Sequence, residues 1–161
     1  MSLNILVLGV GNVLLADEGA GVRAVERLQQ QYVFPSQVEL IDGGTMGLDL
    51  LGYLDDKTHL FIVDAILSAQ PPGSVIIEKL LDPPAYFRQK ISPHQIGISE
   101  LLAVAAMQGC LPPAITLFGI VPLDLATGLD LSPEVNDAVA QVVLAVVKEL
   151  ALLGVEVGVS S

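Results

Sequence analysis

Short continuous hydrophobic runs alternate along the chain with longer segments in which hydrophobic residues recur at helical spacing. A continuous apolar run is typical of a strand that is buried on both faces of a sheet. Weak alternation of apolar and polar residues is typical of a half-buried strand, such as one at a sheet edge. These patterns predict strands at Asn4–Gly9, Val38–Ile41, His59–Ala65 and Ile115–Ile120, with an edge strand at Ser74–Leu80.

Helices are predicted between most of these strands and after the last one. They are Glu18–Gln31, Leu48–Leu54, Ile98–Met107 and a long helix from Pro133, whose apolar residues recur at spacings of three and four. Strands that alternate with helices predict an open α/β sheet with helices on both faces. Right-handed crossovers then bring the strand-to-helix loops to one edge of the sheet, where such folds bind their ligands.

Length and composition favour one folded domain. The 161 residues are expected to form a single domain, 1–161, that ends in a loose tail at 157–161. Because 52% of the residues are hydrophobic, an intrinsically disordered chain is excluded. The uncharged stretch Leu101–Leu123 is long enough to cross a bilayer, but Gly109 and a Pro-Pro pair interrupt it. A helix, a turn and a buried strand are expected there, in a cytoplasmic protein without membrane insertion.

Charge and cysteine content exclude several further classes. Seven Lys and Arg residues stand against 18 Asp and Glu residues, which gives a net charge of −11. Nucleic acid is therefore not an expected partner, because its binding depends on clustered Lys and Arg. Cys110 is the single cysteine, so an internal disulfide framework and a Cys-rich zinc site are excluded.

Acidic residues follow three of the predicted strands. Glu18 stands in the loop after the first strand, Asp42 follows the second, Asp64 ends the third, and His94 precedes the predicted helix at Ile98. These residues are expected at the same edge of the sheet. Clustered carboxylates repel one another unless they hold a cation or shift their pKa values. Two carboxylates and an imidazole form a mixed oxygen and nitrogen set that suits nickel, zinc or iron.

Structural interpretations of the same residues compete with this one. Asp17 is typical of a helix N-cap, Glu18 of a first-turn residue that interacts with the helix dipole, and Asp42 of a turn. The second histidine, His59, precedes its strand and is expected at the opposite end of the sheet. A dinucleotide site is disfavoured, because the third glycine of its fingerprint would stand at Leu14. The sequence also lacks the Gly-x-Ser-x-Gly motif of a serine nucleophile.

Four segments together resemble the nickel–iron hydrogenase maturation endopeptidases. They are Leu6–Arg23, with its Gly-Val-Gly-Asn and Asp-Glu-Gly elements, Leu40–Thr45, Ile62–Ala65 and Lys90–Gln95. Proteins of this family remove a short C-terminal extension from the precursor of the hydrogenase large subunit. The resemblance runs from Asn4 to about Gly154. It implies a three-layer α/β/α sandwich with a five-stranded mixed sheet of order 2-1-3-5-4, in which strand 4 is antiparallel.

The resemblance also implies roles for individual residues. It implies metal ligation by Glu18, Asp64 and His94, and it makes Asp42, Glu18 and Asp64 the candidate catalytic residues. Asp42 matches a characteristic residue of the family, and its role stays open. Either Asp42 or another carboxylate of the cluster is a candidate general base. The N–H groups of the two glycines after Asp42 are candidate donors to the oxyanion.

A metal and a partner follow from the same resemblance. Nickel is expected to arrive with the precursor of the large subunit, and other divalent cations are expected to be able to fill the site. The chain is expected to act as a monomer and to dock through apolar surface near the strand ends, with Tyr86, Phe87 and Arg88 as candidates. The alternative function is a non-catalytic nickel-binding escort or sensor that uses the same three ligands and leaves the precursor intact.

Overall fold

A five-stranded sheet with helices on both faces organises the protein. The computed structural model describes residues 2–89 and 95–161. Helices and strands follow one another as β1 (Ile5–Val10), α1 (Ala20–Gln31), β2 (Tyr32–Val33), β3 (Val38–Gly44), β4 (His59–Ala65), β5 (Val75–Lys79), α2 (Pro83–Gln89), α3 (Gln95–Met107), β6 (Ala114–Ile120), α4 (Pro133–Leu152) and β7 (Gly158–Val159). Two 3₁₀ turns, Ala16–Gly19 and Gly47–Tyr53, precede α1 and follow β3.

The main sheet has the strand order β3-β1-β4-β6-β5. Strands β3, β1, β4 and β6 are mutually parallel, whereas β5 runs antiparallel to β6. Counted along the chain within this sheet, the order is 2-1-3-5-4 with strand 4 antiparallel. The fold that the resemblance implies is therefore confirmed.

Alternate residues of the central strands pack into two separate halves of the hydrophobic core, one on each face of the sheet. In β1, Ile5 and Val7 pack with the inner faces of α1 and α4. Leu6 and Leu8 point to the other face, where they pack with α3 and the Gly47–Tyr53 turn. Because a strand places successive side chains on opposite faces, one apolar run supplies both halves. The result is three layers, with the sheet in the middle.

Helix α1 lies unusually close to the sheet, and glycines make this approach possible. A Cβ at Gly21 would stand 2.1 Å from the Val63 carbonyl oxygen and 2.5 Å from that of Val10. A Cβ at Gly9 would stand 2.5 Å from the Gly21 carbonyl oxygen. The start of α1 therefore rests directly on the backbones of β1 and β4. This contact fixes the preceding turn, Ala16–Gly19, beside the ends of these two strands.

The predicted start of the first helix and the predicted end of the second strand are wrong. The first helix was expected from Glu18, but residues 16–19 form a 3₁₀ turn and α1 begins at Ala20. Ala16 enters this turn with φ of 48°, a left-handed conformation that local helix patterns do not predict. The second predicted strand, Val38–Ile41, continues as β3 to Gly44, because its last residues pair with the end of β1.

The predicted loose tail is also wrong for part of its length. Gly158–Val159 form β7, which pairs antiparallel with Tyr32–Val33 directly after α1. The N–H of Ser160 donates to the carbonyl oxygen of Gln31 at 2.9 Å. Backbone hydrogen bonds thus tie the C-terminal residues to the end of α1, although their side chains are exposed.

The uncharged stretch Leu101–Leu123 folds as expected. Helix α3 ends at Met107, Gly109 takes a positive φ of 72°, and β6 follows as a buried strand. Within residues 2–89 and 95–161, no helix is long and apolar enough to cross a membrane. Cys110 is half-buried and packs against the core beneath α3.

Candidate active site

The carboxyl ends of β3, β1, β4 and β6 lie along one edge of the sheet. Strand register places Gly9 opposite both Asp42 of β3 and Val63 of β4. Asp64 follows Val63 and stands opposite Gly119 of β6. The parallel register therefore brings Asp42 and Asp64 to the edge at which the sequence predicts them.

Glu18 reaches this edge through the 3₁₀ turn that precedes α1. The turn packs against β4, the strand that carries Asp64. Gly11 permits this arrangement, because its φ is 131° and a Cβ there would stand 2.0 Å from the Glu18 carbonyl oxygen. Glu18 is 9% exposed and Asp64 is fully buried. Two carboxyl groups with almost no contact with bulk water thus lie on adjoining elements at the ligand-binding edge.

Asp17, the neighbour of Glu18 in the chain, organises a different loop. Its Oδ2 accepts hydrogen bonds from the N–H of Leu123 at 2.9 Å and of Asp124 at 2.8 Å. The same oxygen accepts from the Ser132 hydroxyl at 2.8 Å, and Oδ1 accepts from the Ser132 N–H at 2.7 Å. Asp17 is therefore not the N-cap of α1. It fastens the segment between β6 and α4 to the turn that holds Glu18.

The hydrogen bonds decide the ionisation of Asp17. Burial alone would raise the pKa of this carboxyl, because it removes the charged form from water. The bonds from Asp124, Ser132 and Leu123 stabilise the carboxylate and together lower its pKa below the ordinary value. Asp17 is thus a buried, fully hydrogen-bonded anion. Its bonds also orient Ser132, whose hydroxyl accepts from the Val135 N–H as the N-cap of α4.

Asp42 is exposed at the end of β3, and its side chain bonds within its own turn. Its Oδ1 accepts a hydrogen bond from the N–H of Gly44 at 3.0 Å. The turn interpretation of Asp42 is therefore confirmed, and its exposure also leaves it open to a substrate. The Gly44 N–H, one of the two candidate donors to an oxyanion, donates to Asp42 in this structure.

Several sequence-predicted residues fall outside what the structure describes. His94 lies in the segment 90–94, and the side chains of Phe87 and Arg88 are also outside the described set. Among the residues that are described, no group of three or more His, Cys, Asp or Glu side chains could hold a metal ion. Tyr86 is half-buried and packs against the core cluster that includes residues of α3.

His59 lies at the opposite end of the sheet, as its place before the strand predicts. It pairs in register with Ile5 and Ala114, at the start of the neighbouring strands. Burial lowers the pKa of its imidazole, and the nearby Lys79 ammonium lowers it further. His59 also lines a cavity of about 260 Å³ at that end, far along the strands from Glu18 and Asp64.

No local sequence pattern marks the loop that Asp17 fastens. The backbone N–H of Asp17 donates to the Asp124 carbonyl at 2.9 Å, and that of Ala16 donates to Gly128 at 2.8 Å. The Gly128 N–H returns a bond to the Leu14 carbonyl at 2.9 Å. The partners are more than 100 positions apart, so no helical or strand periodicity marks them. The connection between the Asp17 turn and the segment before α4 becomes visible only in the structure, where Asp17 is fully buried.

The family can now be assigned from sequence. The family profile described as HycI, hydrogenase maturation protease, matches residues 22–149, which is most of the chain. The chain belongs to the hydrogenase maturation protease family. It is 43% identical over 155 residues to the hydrogenase 2 maturation protease of Escherichia coli, covering 96% of this chain and 94% of that protein. It is also 40% identical to the hydrogenase expression/formation protein HupD of Rhodobacter capsulatus, covering 95% and 74% of the two chains.

Solved structures agree with this assignment. The hydrogenase maturating endopeptidase HybD from Escherichia coli superposes with a TM-score of 0.92 at 42% identity, and each chain is covered to 98%. The [NiFe] hydrogenase maturation protease HybD from Thermococcus kodakarensis superposes with a TM-score of 0.76 at 29% identity, covering 91% of this chain and 98% of that one. Hydrogenase maturation proteases are hydrolases, and the chain is accordingly an endopeptidase of hydrogenase maturation. The resemblance is confirmed, and membership of a protease family disfavours the non-catalytic escort.

Proposed function

We propose that this endopeptidase removes the C-terminal extension from the nickel-loaded precursor of a nickel–iron hydrogenase large subunit. We propose that Glu18, Asp64 and His94 contact the nickel that the precursor brings. The observation that carries the proposal is the burial of Glu18 and Asp64 on adjoining elements at the ligand-binding edge. Both carboxyl groups already have interactions within the protein, and a metal ion brought by the substrate would add a direct stabilising interaction with their charge.

The donor set fits nickel chemically. Two carboxylate oxygens and an imidazole nitrogen are donors that a borderline divalent cation accepts. Three protein ligands would leave coordination positions open for the precursor's own groups and for water. A divalent ion bound there would polarise the scissile carbonyl and acidify a water molecule. Zinc or cadmium should fill the same site in the absence of nickel, since both accept this mixed donor set.

Asp42 is the proposed general base among the carboxylates. Its exposure at the end of β3 leaves it able to approach a bound substrate, whereas Glu18 and Asp64 are enclosed. The hydrogen bond from Gly44 occupies one of its two oxygens and orients the side chain. The other oxygen would then take a proton from water if the substrate lies within hydrogen-bond reach.

We further propose that the chain acts as a monomer in the cytoplasm. Its one cysteine, Cys110, is a free thiol, which fits a reducing compartment. One copy of the protein would then bind one precursor at the acidic edge of the sheet.

Conservative substitutions test the ligand set. Glu18→Gln, Asp64→Asn and His94→Gln should each weaken nickel binding and slow precursor cleavage at least about 100-fold, since removal of even a residue behind a metal ligand costs 10–100-fold. Calorimetric titration with Ni²⁺ gives the affinity, and intact mass of the loaded precursor gives the rate. Glu156→Gln and His59→Gln are matched controls, because Glu156 is exposed between α4 and β7 and His59 lies at the far end of the sheet.

The controls make the outcomes distinct. Both control variants should bind nickel and cleave the precursor as the unaltered protein does. A Glu18→Gln protein with full affinity and full activity would contradict the metal assignment. Asp42→Asn should bind nickel normally but cleave the precursor much more slowly. Full activity of that variant would show that Asp42 is not the general base.

A further inference from the structure

Four exposed leucines lie on two loops that the backbone joins into one unit. Leu14 belongs to the loop before the Glu18 turn, and Leu123, Leu125 and Leu129 belong to the segment between β6 and α4. Their side chains are 44 to 61% exposed. Single exposed leucines are ordinary on protein surfaces, but several on one structural unit indicate a contact surface. We name these four residues the leucine rim.

Hydrogen bonds hold the leucine rim in place, although its residues are exposed and contribute little to the core. Backbone hydrogen bonds join Leu14 to Gly128 and Ala16 to Gly128, and the buried carboxylate of Asp17 receives the N–H groups of Leu123 and Asp124. From α1, the Arg23 guanidinium donates to the Leu129 carbonyl at 3.2 Å. A surface that is ordered before binding loses less conformational entropy when a partner docks.

The position of the leucine rim limits what can cover it. Leu14 stands four residues before Glu18, and Leu123 bonds through its N–H to the residue adjacent to Glu18. A partner seated on the rim therefore also lies beside the acidic edge. A second copy bound there would obstruct the site.

We propose that the leucine rim is the docking surface for the folded body of the hydrogenase large-subunit precursor. This inference rests on the proposed function, since it takes the precursor as the substrate whose tail enters the acidic edge. The rim would contact apolar side chains of the precursor close to where its C-terminal extension leaves the folded body. Docking energy from the folded body then positions the scissile bond at Glu18 and Asp64.

Steady-state kinetics with the nickel-loaded precursor test the rim. The double variant Leu125→Ser with Leu129→Ser should raise KM about tenfold or more, as expected when interface anchors are lost, and should change kcat less than about twofold. Leu144→Ser is the matched control, because Leu144 is 63% exposed on α4, outside the two loops. It should leave both constants unchanged. Thermal unfolding should show the same stability for all three proteins.

Each other outcome overturns the inference in a recognisable way. If the unaltered protein cleaves and the double variant has an unchanged KM, the rim is not the docking surface. The proposed function is unaffected by that result. Absence of cleavage by the unaltered protein overturns the proposed function and the rim together. Sedimentation that shows a dimer for the unaltered protein and a monomer for the double variant would assign the rim to a second copy. Rim-dependent binding to vesicles of phosphatidylcholine and phosphatidylserine would assign it to a membrane.

Discussion

Asp17 and Glu18 are adjacent in the chain, yet their side chains serve different parts of the molecule. The Asp17 carboxylate accepts four hydrogen bonds from the segment 123–132, whereas Glu18 lies on the turn that packs against β4. A 3₁₀ turn separates successive side chains by about 120°, so two neighbouring acids can contact different partners. The pair thereby links the proposed metal ligand to the leucine rim.

Substitution of Asp17 should reveal this structural role. In Asp17→Asn, the amide group can accept at one oxygen only, so at least one buried N–H of Leu123, Asp124 or Ser132 loses its partner. Each unpaired buried donor costs about 1 to 3 kcal/mol. The free energy of unfolding should fall by about that amount, as measured in a urea titration with intrinsic tyrosine fluorescence.

A matched acid on the surface supplies the comparison. Asp55→Asn should change the free energy of unfolding by less than about 0.5 kcal/mol, because Asp55 is exposed. If Asp17→Asn were as stable as the unaltered protein, the four hydrogen bonds would not be holding the segment before α4.

The sequence allowed the site's residues to be placed at the right edge but not all of their roles. Asp42 and Asp64 end runs of apolar residues, and strand ends in an α/β sheet carry ligand sites, so their location was predictable. The contacts of Asp17 were not, because its partners are 106 to 115 positions away. The hydrogen bond from the Gly44 N–H to Asp42 was missed for another reason, because it depends on the conformation of the turn.

At the scale of elements, glycine decides how α1 meets the sheet. Gly21 faces the carbonyl oxygens of Val63 and Val10, and Gly9 faces the carbonyl of Gly21. A glycine within a helix normally lowers helix stability by about 1 kcal/mol relative to alanine. Here the missing Cβ allows the helix to approach β1 and β4 and to fix the Glu18 turn. The local propensity is overridden by packing.

Gly21→Ala should therefore destabilise the protein despite alanine's better helix propensity. The added methyl group would stand 2.1 Å from a backbone oxygen, so α1 must move away from the sheet. We expect a loss of about 2 to 3 kcal/mol in the free energy of unfolding, at the upper end of what overpacked core sites typically lose. Urea unfolding measures the loss, and nickel titration should show weaker binding because the Glu18 turn moves with the helix.

Gly52→Ala is the control for this prediction. Gly52 lies in the 3₁₀ turn after β3, and an added Cβ there would have no heavy atom within 4 Å. Its substitution should change stability by less than about 1 kcal/mol, in the stabilising direction. A Gly21→Ala protein as stable as Gly52→Ala would contradict the close packing of α1.

Buried strands were the most predictable elements, and irregular ones the least. The third predicted strand, His59–Ala65, agrees with β4 at both ends, because a continuous apolar run has sharp limits. The 3₁₀ turns and the two-residue strands β2 and β7 have no periodicity to detect. They form because backbone groups from distant segments satisfy one another, as in the bond from Ser160 to Gln31.

At the scale of the whole molecule, the sheet divides the protein into two functional ends. The carboxyl ends of the parallel strands carry Asp42, Asp64 and the Glu18 turn, whereas the opposite end carries His59. Right-handed crossovers between parallel strands were enough to predict this division. The strand order itself needed the family resemblance, since hydrophobic patterns do not say which strands are neighbours.

The division also suits an endopeptidase that acts on one assembled substrate. The described residues place two buried carboxyl groups at one edge of the sheet, with the leucine rim beside them. Cleavage would then require both docking of the folded precursor and the metal that it brings. This double requirement is the central claim, because it links the fold, the rim and the proposed ligands.

The most direct test compares one precursor in two states. A hydrogenase large-subunit precursor, nickel-loaded or nickel-free, is incubated with the protein, and intact mass is recorded over time. The account predicts that a C-terminal fragment is lost from the loaded precursor alone. Equal loss from both states would contradict the role of the substrate's nickel, and no loss from either would contradict the proposed cleavage itself.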